Sequence, residues 1–501
     1  MVEAVLTGNF TRSGFLTHGM GSLDVEPQRR TLDDASAEVV SADEVEFDVE
    51  TDVLVAGAGG CGLTATLAAC ENEDLTVTLL EKSDEVGGNA ALSTGMIPAA
   101  GTRFQREAGI EEEPADMARD ILEKNGHEAD AELVQHLCEH SVELVHWLVD
   151  DWDLSLHLVD DFKYPKHAEY RMHAPPGRNG EHLVAEMRDR IEARANAELL
   201  TNTPVTKLVA KDGAVEGVVA GSVREEAIRA KKVILATDGF AGNREMVRAY
   251  CEADIADALY YGSDGNTGDG IRWGAELGGA LASMDAFQGH ATVVSGTGAL
   301  STYAVVMNGG VLVNVDGERF GNESKGYSEF AVDVVRQPDG VAYEIFDERI
   351  FERLRGEFDD FDRAIELGSY TSADTVAGLA AELGCDPEAT RDAVESYNAA
   401  VEAGEPDEVG RMDGRNVLSP PFYGTEVTGS LFHTQGGLVV DEHARVLRED
   451  GSTVDGLYAG GGTATGISGH GADGYLSGNG LTTAMGFGRL AGIHAAESLG
   501  E

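Results

Sequence analysis

The stretch HGADGYLSGNG, residues 470–480, sets one tyrosine, Tyr475, among four glycines, directly before the helix-forming run LTTAMGFGRLAGIHAAESL. Glycines remove side chains where a flat or charged group could reach the backbone, and the free N–H groups of a helix start favour negative charge there. Gly478, Asn479, Gly480 and Leu481 form that joint, with the Tyr475 phenol available as a hydrogen-bond donor beside it. A capped helix after a glycine loop also occurs without a ligand, so the stretch is read together with a second one. In TDVLVAGAGGCGLTATLAACENEDLTVTLLEKS a strand from Val53 to Ala56 leads into Gly57, Gly59, Gly60, Cys61 and Gly62, then an alanine-rich helix and a second strand ending at Glu81. Gly57 makes the tight turn, Gly59 lets a pyrophosphate touch the backbone, and Gly62 lets helix and strand pack closely. Glu81, nineteen residues past Gly62, is placed to hold a ribose hydroxyl. A glutamate there, with no arginine nearby, argues against a 2′-phosphate.

Directly after Glu81 comes KSDEVGGNAALSTGM, with no strand between. FAD extends well beyond the pyrophosphate and needs this extra backbone, so Lys82, Gly87, Gly88, Asn89, Ala90, Ser93, Thr94, Gly95 and Met96 join the expected cofactor set. TPVTKLVAKDGAVEGVVAG, which contains Val205, reads as a hairpin turning at Asp212-Gly213. KKVILATDGFAGN reads as a buried strand ending in a turn at Ala236, Thr237 and Gly239, and DGLYAGGGTATG as another strand running into Gly461 and Gly462.

These sites need elements to position them, and composition bounds what those are. A chain of 501 residues with 42% apolar content is long enough for two domains. Its 89 acidic and 37 basic residues give a net charge of −52. The acids are dispersed along helical stretches such as EEEPADMARDILEKNG, which reads as a surface kept hydrated in concentrated salt and leaves no basic stripe for nucleic acid. Cys61, Cys70, Cys138, Cys251 and Cys385 form no CxxC pair, so no metal site is expected and iron–sulfur and c-type haem ligation are unsupported. They read as apolar residues of a reducing cytoplasm. No apolar run approaches the roughly 18 residues of a membrane span, and the N-terminus lacks a charged start followed by an apolar block.

The ordered set GAGGCG, EKSDEVGGNAALSTG, VILATDGFAGN, NTGDGIRWGAELGGAL, QGHAT, GERFGNES, HTQGGLVVD, GLYAGGGTATG and the final glycine loop resembles the flavoprotein family of fumarate reductase, succinate dehydrogenase and 3-ketosteroid dehydrogenase, over about residues 50–501. The resemblance implies an α/β fold: a Rossmann-like FAD-binding domain of the glutathione reductase type, with a parallel sheet plus crossover β-meander, and an inserted α+β capping domain. The expected boundaries are 1–44 for an N-terminal extension, 45–289 and 433–501 for the two parts of the FAD domain, and 290–432 for the cap. A cap helix opens at Asp386 with Pro387 in its first turn. The resemblance adds Asp269 to the FAD set and, with no histidine in GGNAALSTG, implies non-covalent FAD.

Members acting on dicarboxylates use one arginine as proton donor and another as carboxylate clamp. Here the position aligned with the first is Tyr327, and Gly474 and Tyr475 stand near the second. Two tyrosines resemble the ketosteroid branch, which implies Tyr327 as base, assisted by Tyr170 or Tyr164, and Tyr475 as donor to a ketone. His290 and His433 stand where the dicarboxylate enzymes place substrate-binding imidazoles. Gly462 stands where the fumarate reductases carry a glutamate on the ribityl chain. The expected function is an FAD-dependent oxidoreductase that introduces or reduces a carbon–carbon double bond α,β to the ketone of a small molecule, with an external electron acceptor or donor. A fumarate reductase-like enzyme is the first alternative, and an electron carrier without a carbon substrate is the second.

Overall fold

The computed structural model describes residues 38–500. Its main sheet begins with β1 (Glu38–Ser41) and β2 (Val49–Ala56), followed by helix α1 (Gly60–Ala69) and β3 (Val77–Leu80). Helix α2 (Gly180–Glu192) leads to β4 (Ala197–Leu200), and then come β5 (Val205–Lys211), β6 (Ala214–Ala220) and β7 (Glu226–Leu235). The strand order is β1-β5-β6-β7-β2-β3-β4. β7, β2, β3 and β4 run parallel in a right-twisted layer, whereas β5, β6 and β7 form the antiparallel meander. The hairpin turns at Asp212 and Gly213, both at positive φ, as a two-residue turn between right-twisted strands requires.

β2 is buried from Val53 to Ala56 except for its neighbours at the open end, and every residue of α1 is buried. Such near-continuous apolar runs are what a parallel layer covered on both faces demands. The boundary expected at residue 44 falls inside this domain: β1 pairs in parallel with β5, so residues 38–41 are part of the sheet, followed by a helical turn at 42–44. The remainder of the expected extension, residues 1–37, lies outside the described residues.

The second sheet is the cap. β8 (Phe287–Val294) is followed by helix α3 (Tyr327–Val335), β9 (Val341–Asp347), helix α4 (Asp359–Glu366), helix α5 (Pro387–Ala403) and β10 (Phe422–Thr434). β10 is the centre, antiparallel to both β8 and β9. Helix α5 starts where the sequence predicts: Asp386 accepts hydrogen bonds from the Glu388 and Ala389 N–H groups, with Pro387 at the first position. The boundaries expected at 289/290 and 432/433 fall inside β8 and near the end of β10. The pairing of the two strands is interrupted there by a bulge at Phe432, between the pairs Gln288–His433 and Gly289–Leu431.

The chain returns through β11 (Thr453–Ala459), which extends the main sheet parallel to β7, and ends in helix α6 (Asn479–Gly500). Helix α6 lies directly against α1. A methyl group added at Gly488 or Gly492 would overlap the carbonyl oxygens of Cys61 and Ala65 respectively. These two glycines therefore let the helices run side by side, backbone to backbone, with the start of α1 against the middle of α6 and the start of α6 reaching beyond it.

Candidate active site

Between the two sheets lies a cavity of about 1090 Å³. One end is main chain. Gly57, at φ +103°, turns the chain so that the N-terminus of α1 faces the cavity. A side chain at Gly62 would overlap the Gly57 carbonyl, so the strand–turn–helix approach closes only on glycine. Glu81 lines the cavity with its carboxylate fixed by the main chain: one oxygen accepts from the Ala58 N–H and the other from the Ser83 N–H, each at 2.8 Å. Lone pairs remain for a ribose hydroxyl. Lys82 reaches Asp269 at 3.3 Å and Thr267 at 3.1 Å.

Of the expected cofactor residues, Gly57, Gly59, Gly60, Cys61, Glu81, Lys82, Gly88, Asn89, Ala90, Ser93, Thr94 and Met96 line the cavity. So do Val205, Ala236, Thr237, Asp269, Gly461, Gly462, Gly478, Gly480 and Leu481. Gly62, Gly87, Gly95, Gly239 and Asn479 stand behind this lining. Gly87 bridges to Gly59 and donates to the Ala58 carbonyl, Gly95 packs on Pro175, and Gly239 leaves room for the Thr434 hydroxyl. Asn479 is buried and donates to Ser468. The length of the cavity, the glycine turn before a helix and the carboxylate at its rim fit FAD.

The other end is side chain. Tyr327, at the N-terminus of α3, and Tyr475 meet with ring centroids 6.2 Å apart. The Tyr327 hydroxyl pairs with the Tyr475 hydroxyl and with Ser477, the latter contact favouring the ionised phenol. Tyr475 also accepts from the Gly480 N–H at 3.4 Å, so the start of α6 polarises its phenol. Burial pushes the Tyr475 phenol up to about 12, and pushes Tyr327 further above the ordinary tyrosine value. Both are therefore neutral donors at physiological pH.

Tyr261, Phe432, His290 and Tyr327 form one continuous stack with centroid separations of 5.0, 5.0 and 4.8 Å. Tyr164 and Tyr303 meet Tyr327 edge-on at 6.0 and 5.7 Å. All six line the cavity. Tyr170 does not: its ring lies by Lys163 and its carbonyl accepts from Gln105, just ahead of the short strand Met172–Ala174. Of the two tyrosines weighed in that segment, Tyr164 is the one that reaches Tyr327.

Burial favours the neutral form of both cavity histidines. Burial holds His290 down at about 3 and lowers His433, although Asp238 nearby opposes the latter shift. His433 Nδ1 lies 2.9 Å from the Gln435 side-chain nitrogen and 3.4 Å from the Thr434 carbonyl, the Gln435 oxygen accepts from Ser468, and Nε2 faces Gly480. The two arginines that could have filled this end are engaged elsewhere: Arg319 is buried against Glu323 and Asp407, and Arg171 against Glu112 and Asp120. Among the lining residues the cations are Lys82, next to Glu81 in the chain, and Arg188, which pairs with Asp189 and Glu192.

The residues missed from sequence are Tyr303, Tyr261, Phe432, Ser477 and Asp238. Only Ser477 carried a local signal, its place two residues after Tyr475 in the glycine loop.

Comparison with known proteins agrees with this geometry. The FAD binding domain family matches residues 52–481. A fumarate reductase (cytochrome) of Shewanella frigidimarina is 32% identical over 452 residues, covering 89% of this chain and 77% of its own. Among solved structures, the open conformation of a flavocytochrome c3 fumarate reductase superposes with a TM-score of 0.76 at 30% identity, over 91% of this chain and 80% of that one. The 3-ketosteroid-Δ4-(5α)-dehydrogenase of Rhodococcus jostii RHA1, in complex with 4-androstene-3,17-dione, superposes with a TM-score of 0.72 at 26% identity, over 91% and 99%.

Proposed function

Starting from a chain that belongs to the FAD binding domain family, as an FAD-dependent oxidoreductase acting on CH–CH groups, we propose that its substrate is an uncharged ketone or enone. One observation carries this reading. The end of the cavity lined by Tyr164, Tyr303, Tyr327 and Tyr475 presents phenols and neutral imidazoles, with no lysine or arginine among its lining residues. A carboxylate there would be desolvated without a counter-charge, whereas a carbonyl oxygen needs only a donor.

Bound FAD supplies the two-electron exchange, with hydride passing to or from its N5. The protein's residues do the rest. Tyr475 donates to the carbonyl oxygen. Because its own oxygen accepts from the Gly480 N–H, negative charge developing on an enolate is shared with the start of α6. Tyr327 holds a proton in the neutral range and delivers it to carbon in the reductive direction; in the oxidative direction its oxygen must first lose that proton. Ser477 donates to the Tyr327 oxygen and steadies the phenolate form. The stack of Tyr261, Phe432 and His290 excludes water and gives a flat substrate an apolar face.

The test is anaerobic. Photoreduced enzyme is mixed with cyclic enones and, separately, with fumarate-like acids while the flavin band is followed. Reoxidation by enones is expected; reoxidation by the acids alone would overturn the reading.

A second reading, reduction of an unsaturated carboxylate, is favoured by the 32% identity to a fumarate reductase and by His290 and His433 both facing the cavity. It predicts that His433→Ala abolishes turnover of acids while Tyr327→Phe spares it. Among the described residues no helix is long and apolar enough to cross a membrane. We further infer a cytoplasmic protein suited to concentrated salt, from its net charge of −52. Molar KCl should raise its Tm, and a Tm indifferent to salt would contradict that inference.

A further inference from the structure

Asp238 is an unexpected residue in an unfavourable position. It sits in the turn after β7 at φ +62°, a left-handed conformation that costs a residue with a side chain and that Gly accepts freely. Its carboxylate lines the cavity and burial raises its pKa; Lys82 and His433 act on it from a distance, and among the described residues no lysine or arginine makes a salt bridge with it. Strain and a buried carboxylate without a direct salt bridge both oppose folding, and residues of this kind persist where a ligand uses them.

The surroundings say which part of a ligand that is. The carboxylate leans over Gly462, where an added side chain would overlap it, and His433 lies close enough to lower its pKa. One oxygen accepts from Asn89 Nδ2 at 3.0 Å and the other from the Gly239 N–H at 2.8 Å. Asn89 is itself pinned, because its oxygen accepts from the Ser263 N–H at 2.8 Å. Donors on both sides call for two acceptor oxygens, so the free lone pairs that point into the cavity seek donors and nothing else. Asp238 also stands between the two ends of the cavity. Gly461, beside Gly462, touches Cys61 at the start of α1, and His433 touches Gly480 at the start of α6. A dinucleotide whose pyrophosphate meets α1 and whose ring meets α6 passes a chain of hydroxyl groups across this point.

We propose that Asp238 is a cofactor-positioning residue that accepts hydrogen bonds from the ribityl hydroxyls of FAD, set in a strained turn so that its carboxylate bridges the space between the two helix starts.

The experiment uses apoprotein prepared from the wild-type chain and from Asp238→Gly, a substitution that fits the left-handed turn. FAD is titrated by quenching of its fluorescence, ADP is titrated as competitor, and each apoprotein is melted. The variant is expected to bind FAD about tenfold more weakly, about 1.4 kcal/mol, with ADP affinity within twofold of wild type and an apoprotein Tm no lower than wild type. FAD affinity within twofold of wild type would overturn the proposal. A parallel loss of ADP affinity or a lowered apoprotein Tm would also overturn it, since either marks a merely structural role. A wild-type apoprotein that takes up no FAD would instead remove the cofactor assignment on which the proposal rests.

Discussion

At the end of the cavity near Glu81 the lining is main chain, and at the end near Tyr327 it is side chain. The first end is made by a glycine turn, a helix start and backbone N–H groups that also orient the Glu81 carboxylate. Gly57 and Gly62 in it tolerate no added atoms. The second end is made by aromatic rings from segments far apart in the chain, around residues 164, 261, 290, 303, 327, 432 and 475. Its shape is set by ring packing and its chemistry by hydroxyl groups at the ring tips, so the hydroxyls can be removed while the packing stays. The comparison teaches that the cofactor end is rigid by sterics, whereas the reacting end can be reassigned by single side chains.

The sharpest way to break the first half of that contrast is Gly62→Val. Its side chain meets the Gly57 carbonyl and cannot move away, because the turn and α1 are both backbone. Loss of more than about 3 kcal/mol of stability together with loss of FAD binding is expected, read from denaturant unfolding and flavin fluorescence. A folded, FAD-loaded variant would show that this end is not governed by sterics.

Tyr327→Phe addresses the other half. The ring stack survives and the proton donor goes, so turnover should fall by about 10²–10⁴-fold while FAD affinity stays within about twofold. In the wild type the high phenol pKa fixes the pH dependence. Dehydrogenation, which needs the ionised phenol, should climb with pH through the range below the Tyr327 pKa, while reduction stays flat there. Steady-state rates in both directions at pH 6–10 measure this, and parallel profiles in the two directions would remove Tyr327 from the proton path.

The smallest effect comes from His290, which packs as a neutral ring between Tyr327 and Phe432. Its folded-state pKa is depressed to about 3, below the ordinary imidazole value of 6.5. The stability it contributes is therefore full above pH 6.5 and is lost as pH falls from there toward 3. By pH 5 its share is about 2 kcal/mol. Replacing it by Phe, which stacks as well and does not titrate, should flatten the fall of ΔG between pH 6.5 and 5 by that amount in urea titrations. An unchanged slope would show that the imidazole is protonated or solvated in the folded state.

Legibility in the sequence follows the same division. Strand β2, the turn at Gly57, helix α1 and Glu81 were readable because their contacts are local and their spacing is imposed by geometry. The hairpin at Asp212-Gly213 and the cap at Asp386 were readable for the same reason. Tyr475 announced itself through the glycines around it. Tyr327 emerged only through the resemblance, because nothing within its own segment distinguishes it from a packed aromatic. Tyr303, Tyr261 and Phe432 had no local signal, and Tyr170 was a less apt choice than Tyr164 because a few residues of irregular chain decide which ring turns inward. Asp238 escaped because a strand ending in TDGF reads as an ordinary turn, and only the tertiary structure reveals the left-handed φ and the burial of its carboxylate.

By itself, then, the sequence determined the parallel layer, the dinucleotide turn and the acidic surface, since hydrophobic runs, glycine spacing and charge act over a few residues. The tertiary structure alone decided which phenols converge, where the arginines are sequestered and which carboxylate crosses the middle of the cavity. Those outcomes depend on β8 and β10 carrying the cap over the FAD domain and on α6 lying against α1, and such long-range packing leaves no periodic trace in the chain.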